Sequence, residues 1–171
     1  IVNGHPMMIP LGSVLKDMKQ GKTIWGGVTV EYKGKIWNAG KEIITEKLIR
    51  RLAFLYLNTA YLWGGRSPFG IDCSGLTQSV YKLLNKPLPR DAWQQAQGGE
   101  PVGFLQMAKC GDLAFFDNDE GHIIHVGILL NEYEIIHAAG KVRVDKIDAE
   151  GIINGDTRQR SHHLRIIRRF F

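Results

Sequence analysis

Cysteine is scarce in this chain: Cys73 and Cys110 are the only two in 171 residues. Two thiols do not make the disulfide framework that staples small extracellular domains. No Cys-x-x-Cys pair offers the short ligand spacing of a structural zinc site either. Long apolar runs are missing, so no segment approaches the roughly 20 residues of a membrane-spanning helix. No signal-peptide pattern is visible. The chain opens on Ile1 rather than Met, as expected of a processed or trimmed product. There is no internal repeat and no low-complexity linker. Acids are absent after Asp156, while Arg158, Arg160, Arg165, Arg168 and Arg169 follow it. These arginines interleave with Leu164, Ile166 and Ile167. That pattern reads as a closing strand with a solvated face, and no nucleic-acid motif accompanies it.

What is present suits one globular core, or one domain with a small appendage: 44% hydrophobic residues, 23% charged, and a formal net charge of +5. Residues 1–44 read as short β segments, with six lysines against three acids. Thr29–Tyr32 and Lys35–Trp37 flank Lys33-Gly34, which predicts a hairpin. Thr45 is a plausible N-cap for a helix whose stripe is Leu48, Leu52, Leu55 and Tyr56. A loop from Asn58 to Ile71 follows. A second helix carries Leu76, Val80, Leu83 and Leu84 at helical spacing. Asp91 caps a short helix through Gln97. From Cys110 onward the texture is β, with strands near 113–116, 123–130, 133–138, 142–144 and 165–171. Helices first and antiparallel strands afterwards give an α+β order.

Asp72-Cys73-Ser74-Gly75-Leu76 places a lone cysteine at the start of that second helix. Unpaired N–H groups and the helix dipole there favour a thiolate, the nucleophilic form of cysteine. The competing reading is a small buried hydrophobe, the commonest fate of a free cysteine. His125 and His137 shift the balance. They lie in adjacent predicted strands joined by a turn near Asn131-Glu132, each about six residues from it, so the two can approach across the ladder. A thiol, a base and a group that orients the base is the arrangement nucleophilic catalysis needs. Zinc held by Cys73, His125, His137 and Cys110 is a rival use of the same atoms. His5, His122, His162 and His163 lack such settings and read as surface residues.

Tyr61-x-Trp63-Gly64-Gly65, Asp72-Cys73-Ser74-Gly75-Leu76, Pro89-Arg90-Asp91, Gly111-Asp112-Leu113-x-Phe115-Phe116, His125-Val126-Gly127-Ile128 and Ile136-His137-Ala138 occur in that order. The ordered set resembles the NlpC-type family of bacterial cell-wall cysteine peptidases over 45–171. Residues 1–44 resemble part of an SH3-like module found ahead of this domain in relatives. The resemblance implies a papain-like domain of helices packed on an antiparallel sheet. Cys73 would be its nucleophile, His125 its general base and acid, and His137 its orienting residue. It further implies a stem-peptide site that includes Tyr61, Asp72, Ser74 and Arg90, with Asp72 and Ser74 holding a free N-terminal L-alanine. The substrate would be the γ-D-glutamyl–L-diamino acid bond of peptidoglycan, cut without metal or cofactor, in a periplasmic or secreted setting or, for a recycling enzyme, in the cytoplasm. Two positions depart from the family pattern: Ala92 stands where relatives often have serine, and Cys110 where they usually have proline. A non-catalytic peptidoglycan-binding module and a papain-like amidase or acyltransferase are the alternatives, because fold and triad do not fix substrate.

Overall fold

The computed structural model describes all 171 residues. Residues 1–44 form one two-stranded hairpin, β1 (Lys22–Trp25) against β2 (Val28–Glu31), with Trp25 opposite Val28. The chain reverses at Gly26-Gly27, whose φ values are +56° and +82°. Two consecutive left-handed residues match the twist of the flanking strands, and glycine adopts them without strain. The hairpin expected around Lys33-Gly34 is therefore displaced: β2 ends at Glu31 and Lys35–Trp37 is not a strand. No residue of 1–44 is buried, and no SH3-like barrel closes. The segment lies on the rest of the protein as a strap. Trp37 Nε1 donates to the Leu83 carbonyl at 2.8 Å, the Arg51 guanidinium sits 5.3 Å over the Trp37 ring, and Lys82 Nζ donates to the Gly12 carbonyl at 2.6 Å.

α1 (Glu46–Phe54) begins as the sequence predicts, with Thr45 Oγ1 accepting from the Leu48 amide at 3.2 Å. Its buried stripe is Leu48, Ile49, Leu52 and Ala53, continued by Tyr56, whereas Leu55 is exposed. At about 100° per residue these positions centre between Leu52 and Tyr56, and Leu55 falls roughly 90° away. The loop that follows contains a miniature hairpin, β3 (Arg66–Ser67) with β4 (Gly70–Ile71). It delivers α2 (Cys73–Leu83), and α3 (Ala92–Gln95) is a single turn. Seven strands follow: β5 (Glu100–Val102), β6 (Leu113–Asp117), β7 (Ile123–Leu129), β8 (Glu134–Ala139), β9 (Lys141–Asp148), β10 (Gly151–Ile153) and β11 (Arg160–Arg169). Their order is β10-β9-β8-β7-β6-β11-β5, all pairs antiparallel, and β10 also pairs with β11. Six strands thus close on themselves, and the edge problem of an open sheet is confined to β5.

Closure explains the continuous apolar run of β6. Leu113 and Phe115 join α1 and α2 in one core, while Ala114 and Phe116 point to the opposite face and a second core with Leu129, Ile135, Ile147, Ile152 and Ile167. Side chains alternate along a strand, so both faces of β6 must be apolar. The same alternation sorts β7. Val126 and Ile128 face the helices, while His125, Gly127 and Leu129 face the barrel interior. No helix is long and apolar enough to cross a membrane.

Candidate active site

Asp72 is the N-cap of α2, with Oδ1 accepting from the Gly75 amide at 2.7 Å. Its Oδ2 accepts from the Gly64 amide at 2.8 Å, which ties the Trp63-Gly64-Gly65 loop to the helix start. Gly75 is required by crowding: a Cβ there would lie 2.2 Å from the Gly65 carbonyl oxygen and 2.9 Å from Asp72 Oδ1. Cys73 is consequently presented on the first turn of an eleven-residue helix, at the floor of a cleft of about 520 Å³. Tyr61, Trp63, Asp72, Ser74, Arg90 and Trp93 are among the residues that line it. The Trp63 side chain is largely exposed and Trp93 about half so, which leaves an apolar rim around a polar floor.

The cleft brings together the four residues singled out for substrate contact, and it also shows what already occupies them. Both nitrogens at the tip of Arg90 donate to Asp72, Nη1 to Oδ1 at 3.2 Å and Nη2 to Oδ2, and Nη1 donates to Ser74 Oγ at 2.8 Å. Burial alone would raise the Asp72 pKa. The Arg90 guanidinium and the Gly75 and Gly64 amides outweigh it and hold the carboxyl below its ordinary value. Asp72 is thus a neutralised structural carboxylate in the resting site, with Arg90 as its counter-ion. The Pro89-Arg90 segment is fixed in turn by the buried Gln95, whose Nε2 donates to the Pro89 carbonyl at 2.9 Å and the Ser74 carbonyl at 3.2 Å. Thr77 Oγ1 donates to Gln95 Oε1 at 2.7 Å. Nothing in the residue pattern points to Gln95, since a glutamine in a short helix is ordinarily solvated.

The thiol departs from the expectation drawn from the helix start. Burial, and after it the neighbouring Asp72 carboxylate, push the Cys73 pKa up, although the N–H groups of Val126, Ser74 and Cys73 itself favour the anion. One helix dipole does not offset near-complete desolvation together with an adjacent negative charge. A resting neutral thiol needs a base, and the strands carry one. His125 Nε2 lies 2.9 Å from His137 Nδ1, and His137 Nε2 lies 3.0 Å from Asp145 Oδ2. Burial, and then the neighbouring His137 and His162, hold the His125 pKa well below 6.5, so this imidazole is neutral.

Gly127 makes the histidine pair possible. His137 is opposite Gly127 in the β7–β8 register, and His125 is two residues along on the same face. With no side chain between them, the rings reach each other diagonally, perpendicular within 3° and 5.1 Å between centroids.

Three participants escaped the sequence reading. His162, expected at the surface, is half-buried on β11 and stacks on His125 at 4.1 Å and 24°. Burial, and after it the proximity of His137, lower its pKa to about 4. Arg143 and Asp145 lie on β9, where alternation with Ile147 places them on the same barrel-facing side as His137. That period was the available signal, and a longer reading of the strand than 142–144 would have exposed it.

His125, His137 and His162 bring their ring nitrogens within 4.8 Å of one another, but the set is poorly arranged for a cation. The His125 and His137 nitrogens are engaged with each other, and the near-parallel rings of His125 and His162 direct their in-plane lone pairs side by side rather than at one tetrahedral centre. Cys110 lines a different cleft, with Ile44, Glu46 and Phe171, and so cannot complete a ligand set with Cys73.

A model of the NlpC/P60 family matches residues 58–160, more than half of the chain and the stretch that holds Cys73, His125 and His137. The chain belongs to the NlpC/P60 family. Among curated proteins it is similar to the gamma-D-glutamyl-L-lysine dipeptidyl-peptidase of Bacillus subtilis (strain 168), 37% identical over 118 residues, which are 68% of this chain and 39% of that protein. The chain therefore spans about two fifths of that relative's length. Among solved structures it is similar to the NlpC/p60 domain of the peptidoglycan hydrolase SagA, with a TM-score of 0.59 and 27% identity over 74% of this chain and all of that one. A family protein from Bacillus cereus ATCC 10987 superposes with a TM-score of 0.66 and 22% identity over 86% of this chain and 49% of its own, a likeness of fold. The helix that carries Cys73 and the β7–β8 pair that carries the two histidines fall within the residues matched to the NlpC/P60 family, and residues 1–44 lie outside them.

Proposed function

We propose that this NlpC/P60 domain is a cysteine endopeptidase that cuts the γ-D-glutamyl–L-diamino acid bond of peptidoglycan stem peptides, in a periplasmic or secreted setting. The observation that carries the reading is the joint placement of a helix-start cysteine in an open cleft and a hydrogen-bonded imidazole pair on the strands behind it. The names of the relatives supply the substrate class. His125 takes the Cys73 proton as sulfur attacks the γ-glutamyl carbonyl, and the C=O pair moves onto oxygen. The Cys73 amide at the helix start, with the Tyr61 hydroxyl, faces that oxyanion. His125 then delivers the proton to the departing amine, and water resolves the thioester.

The Asp72–Arg90 pair changes how the stem peptide is read. With its charge already balanced, Asp72 is a weak partner for a free ammonium, while Arg90 keeps part of its guanidinium open to the cleft. Ser74 hydroxyl and Arg90 together suit a carboxylate of the glutamyl residue. Residues 1–44, read as a remnant of an SH3-like module, add no wall to this cleft.

The test is hydrolysis of defined muropeptides, with and without a free L-Ala terminus, by the protein and its Cys73→Ala variant. Cleavage at the γ-glutamyl bond that vanishes in the variant, with its thermal midpoint retained, is the expected result. Equal hydrolysis by the variant sinks the mechanism. Failure of the intact protein to cut any muropeptide, despite binding them, favours the non-catalytic alternative.

A further inference from the structure

Behind the histidine pair lies a carboxylate that the proposed triad does not use. The Asp145 side chain is 1% exposed. Its Oδ2 receives His137 Nε2 at 3.0 Å, and its Oδ1 accepts from the Gly155 amide at 3.0 Å and from Arg143 Nη2 at 2.9 Å. Arg143 Nε lies 2.7 Å from Oδ2, and the far side of the same guanidinium holds the exposed Asp156 at 2.7 Å.

These contacts assign protons. An ionised carboxylate only accepts, so the hydrogen in the Asp145–His137 contact sits on His137 Nε2. Arg143 also faces Asp145, so the carboxylate is served with a single hydrogen on the His137 ring, at Nε2. That leaves a lone pair at Nδ1. The contact to His125 Nε2 needs one hydrogen, and only His125 can provide it. His125 Nδ1 is left unprotonated.

We propose that Asp145 is a positioning residue that fixes the tautomers of His137 and His125 in series, so that His125 meets the Cys73 thiol as an acceptor. The inference rests on the cysteine–histidine reading above, but not on its substrate. Arg143 completes the device. Burial alone would raise the Asp145 pKa, but the hydrogen bonds from His137, Arg143 and the Gly155 amide hold it at about 2. The carboxylate therefore does not take the His137 proton. When His125 accepts the thiol proton at Nδ1, its Nε2–H remains on His137, and the new positive charge faces a lone pair backed by an anion.

An amide in place of the carboxylate reverses the series. In Asp145→Asn, the Gly155 amide and Arg143 Nη2 keep the carbonyl oxygen at the Oδ1 position. The NH2 group then faces His137 Nε2 and drives the hydrogens of both rings to Nδ1, where His125 would meet the thiol as a donor. Imidazole ¹⁵N spectra of the full chain read this directly. The expected wild-type spectrum has both rings protonated at Nε2 and bare at Nδ1, and the variant shows the opposite. By analogy with the carboxylate-to-amide change in serine proteases, kcat should fall by about 10²–10⁴-fold with KM nearly constant. Iodoacetamide alkylation of Cys73, which needs no peptidoglycan, should slow in parallel. Asp156→Asn removes a carboxylate from the same arginine but none from the imidazole, and should leave spectra and rates unchanged. The wild-type spectrum decides the point even if the variant does not fold: His125 protonated at Nδ1 would overturn the proposal. Unchanged tautomers and alkylation in a folded Asp145→Asn protein would overturn it equally. Wild-type tautomers as expected, with no muropeptide cleaved, would overturn the substrate reading and leave this one standing.

Discussion

Gly127 sits between the two histidines, and replacing it with alanine tests whether their contact depends on an absent side chain. Its φ is not positive, so alanine is conformationally allowed there. On entropy alone Gly→Ala should stabilise by about 0.4–1 kcal/mol. The surroundings oppose this. A Cβ would lie 2.7 Å from Ile135 Cδ1, 2.8 Å from Ile135 Cγ1 and 2.9 Å from His137 Cβ, all closer than carbon atoms pack. Ile135 is fully buried and His137 equally so, which leaves neither a free direction of retreat. Overpacking of this kind costs about 1–3 kcal/mol, so the net effect is a loss of roughly 1–2 kcal/mol. For a chain of this size that lowers the thermal midpoint by about 2–8 °C. Activity should suffer more. A His137 shifted by a few tenths of an ångström stretches its 2.9 Å contact with His125 to the edge of the hydrogen-bond range, and misplacement near 1 Å costs about 10²-fold in rate. Scanning fluorimetry gives the first quantity and single-turnover muropeptide hydrolysis the second. A Gly127→Ala protein with unchanged midpoint and unchanged kcat would refute the reasoning, because the histidine pair would then not depend on an empty position.

Three further outcomes are expected. The acid limb of kcat/KM should lie below pH 6.5: the neutral form of His125 is the active one, and burial with two neighbouring imidazoles lowers its pKa, so activity persists to lower pH; a limb at or above 6.5 contradicts this. Asp145 falls from an ordinary 3.8 to about 2 on folding, so its contribution of about 2 kcal/mol is complete above pH 4 and is lost as pH falls towards 2; urea midpoints across that window should drop in the wild type and less in Asp145→Asn. Trp37→Ala should release the 1–44 strap to limited proteolysis while leaving the thermal midpoint of the remainder within a few degrees, since no residue of the strap is buried; a protease-resistant variant would show that other contacts hold it.

The legible parts of the sequence were those governed by local physics. Thr45 and Asp72 announce helix starts because capping needs only a side-chain oxygen within three residues of the amide it serves. The apolar spacing of α2, the turn after Leu130 and the strand texture from Leu113 onward are likewise short-range signals, and they sufficed to place Cys73 near two strand histidines. Lys33-Gly34 misled because a hairpin depends on which residues take left-handed φ, and the Gly26-Gly27 pair takes them more cheaply. Contacts at long separation decided the rest. Closure of β10 on β11 brings His162 over His125, and the β8–β9 register brings Arg143 and Asp145 behind His137. Residue types alone suggested an ionised thiol at a helix start. Only the packed molecule shows the sulfur desolvated beside Asp72, because the cost of burying a charge depends on everything that surrounds it.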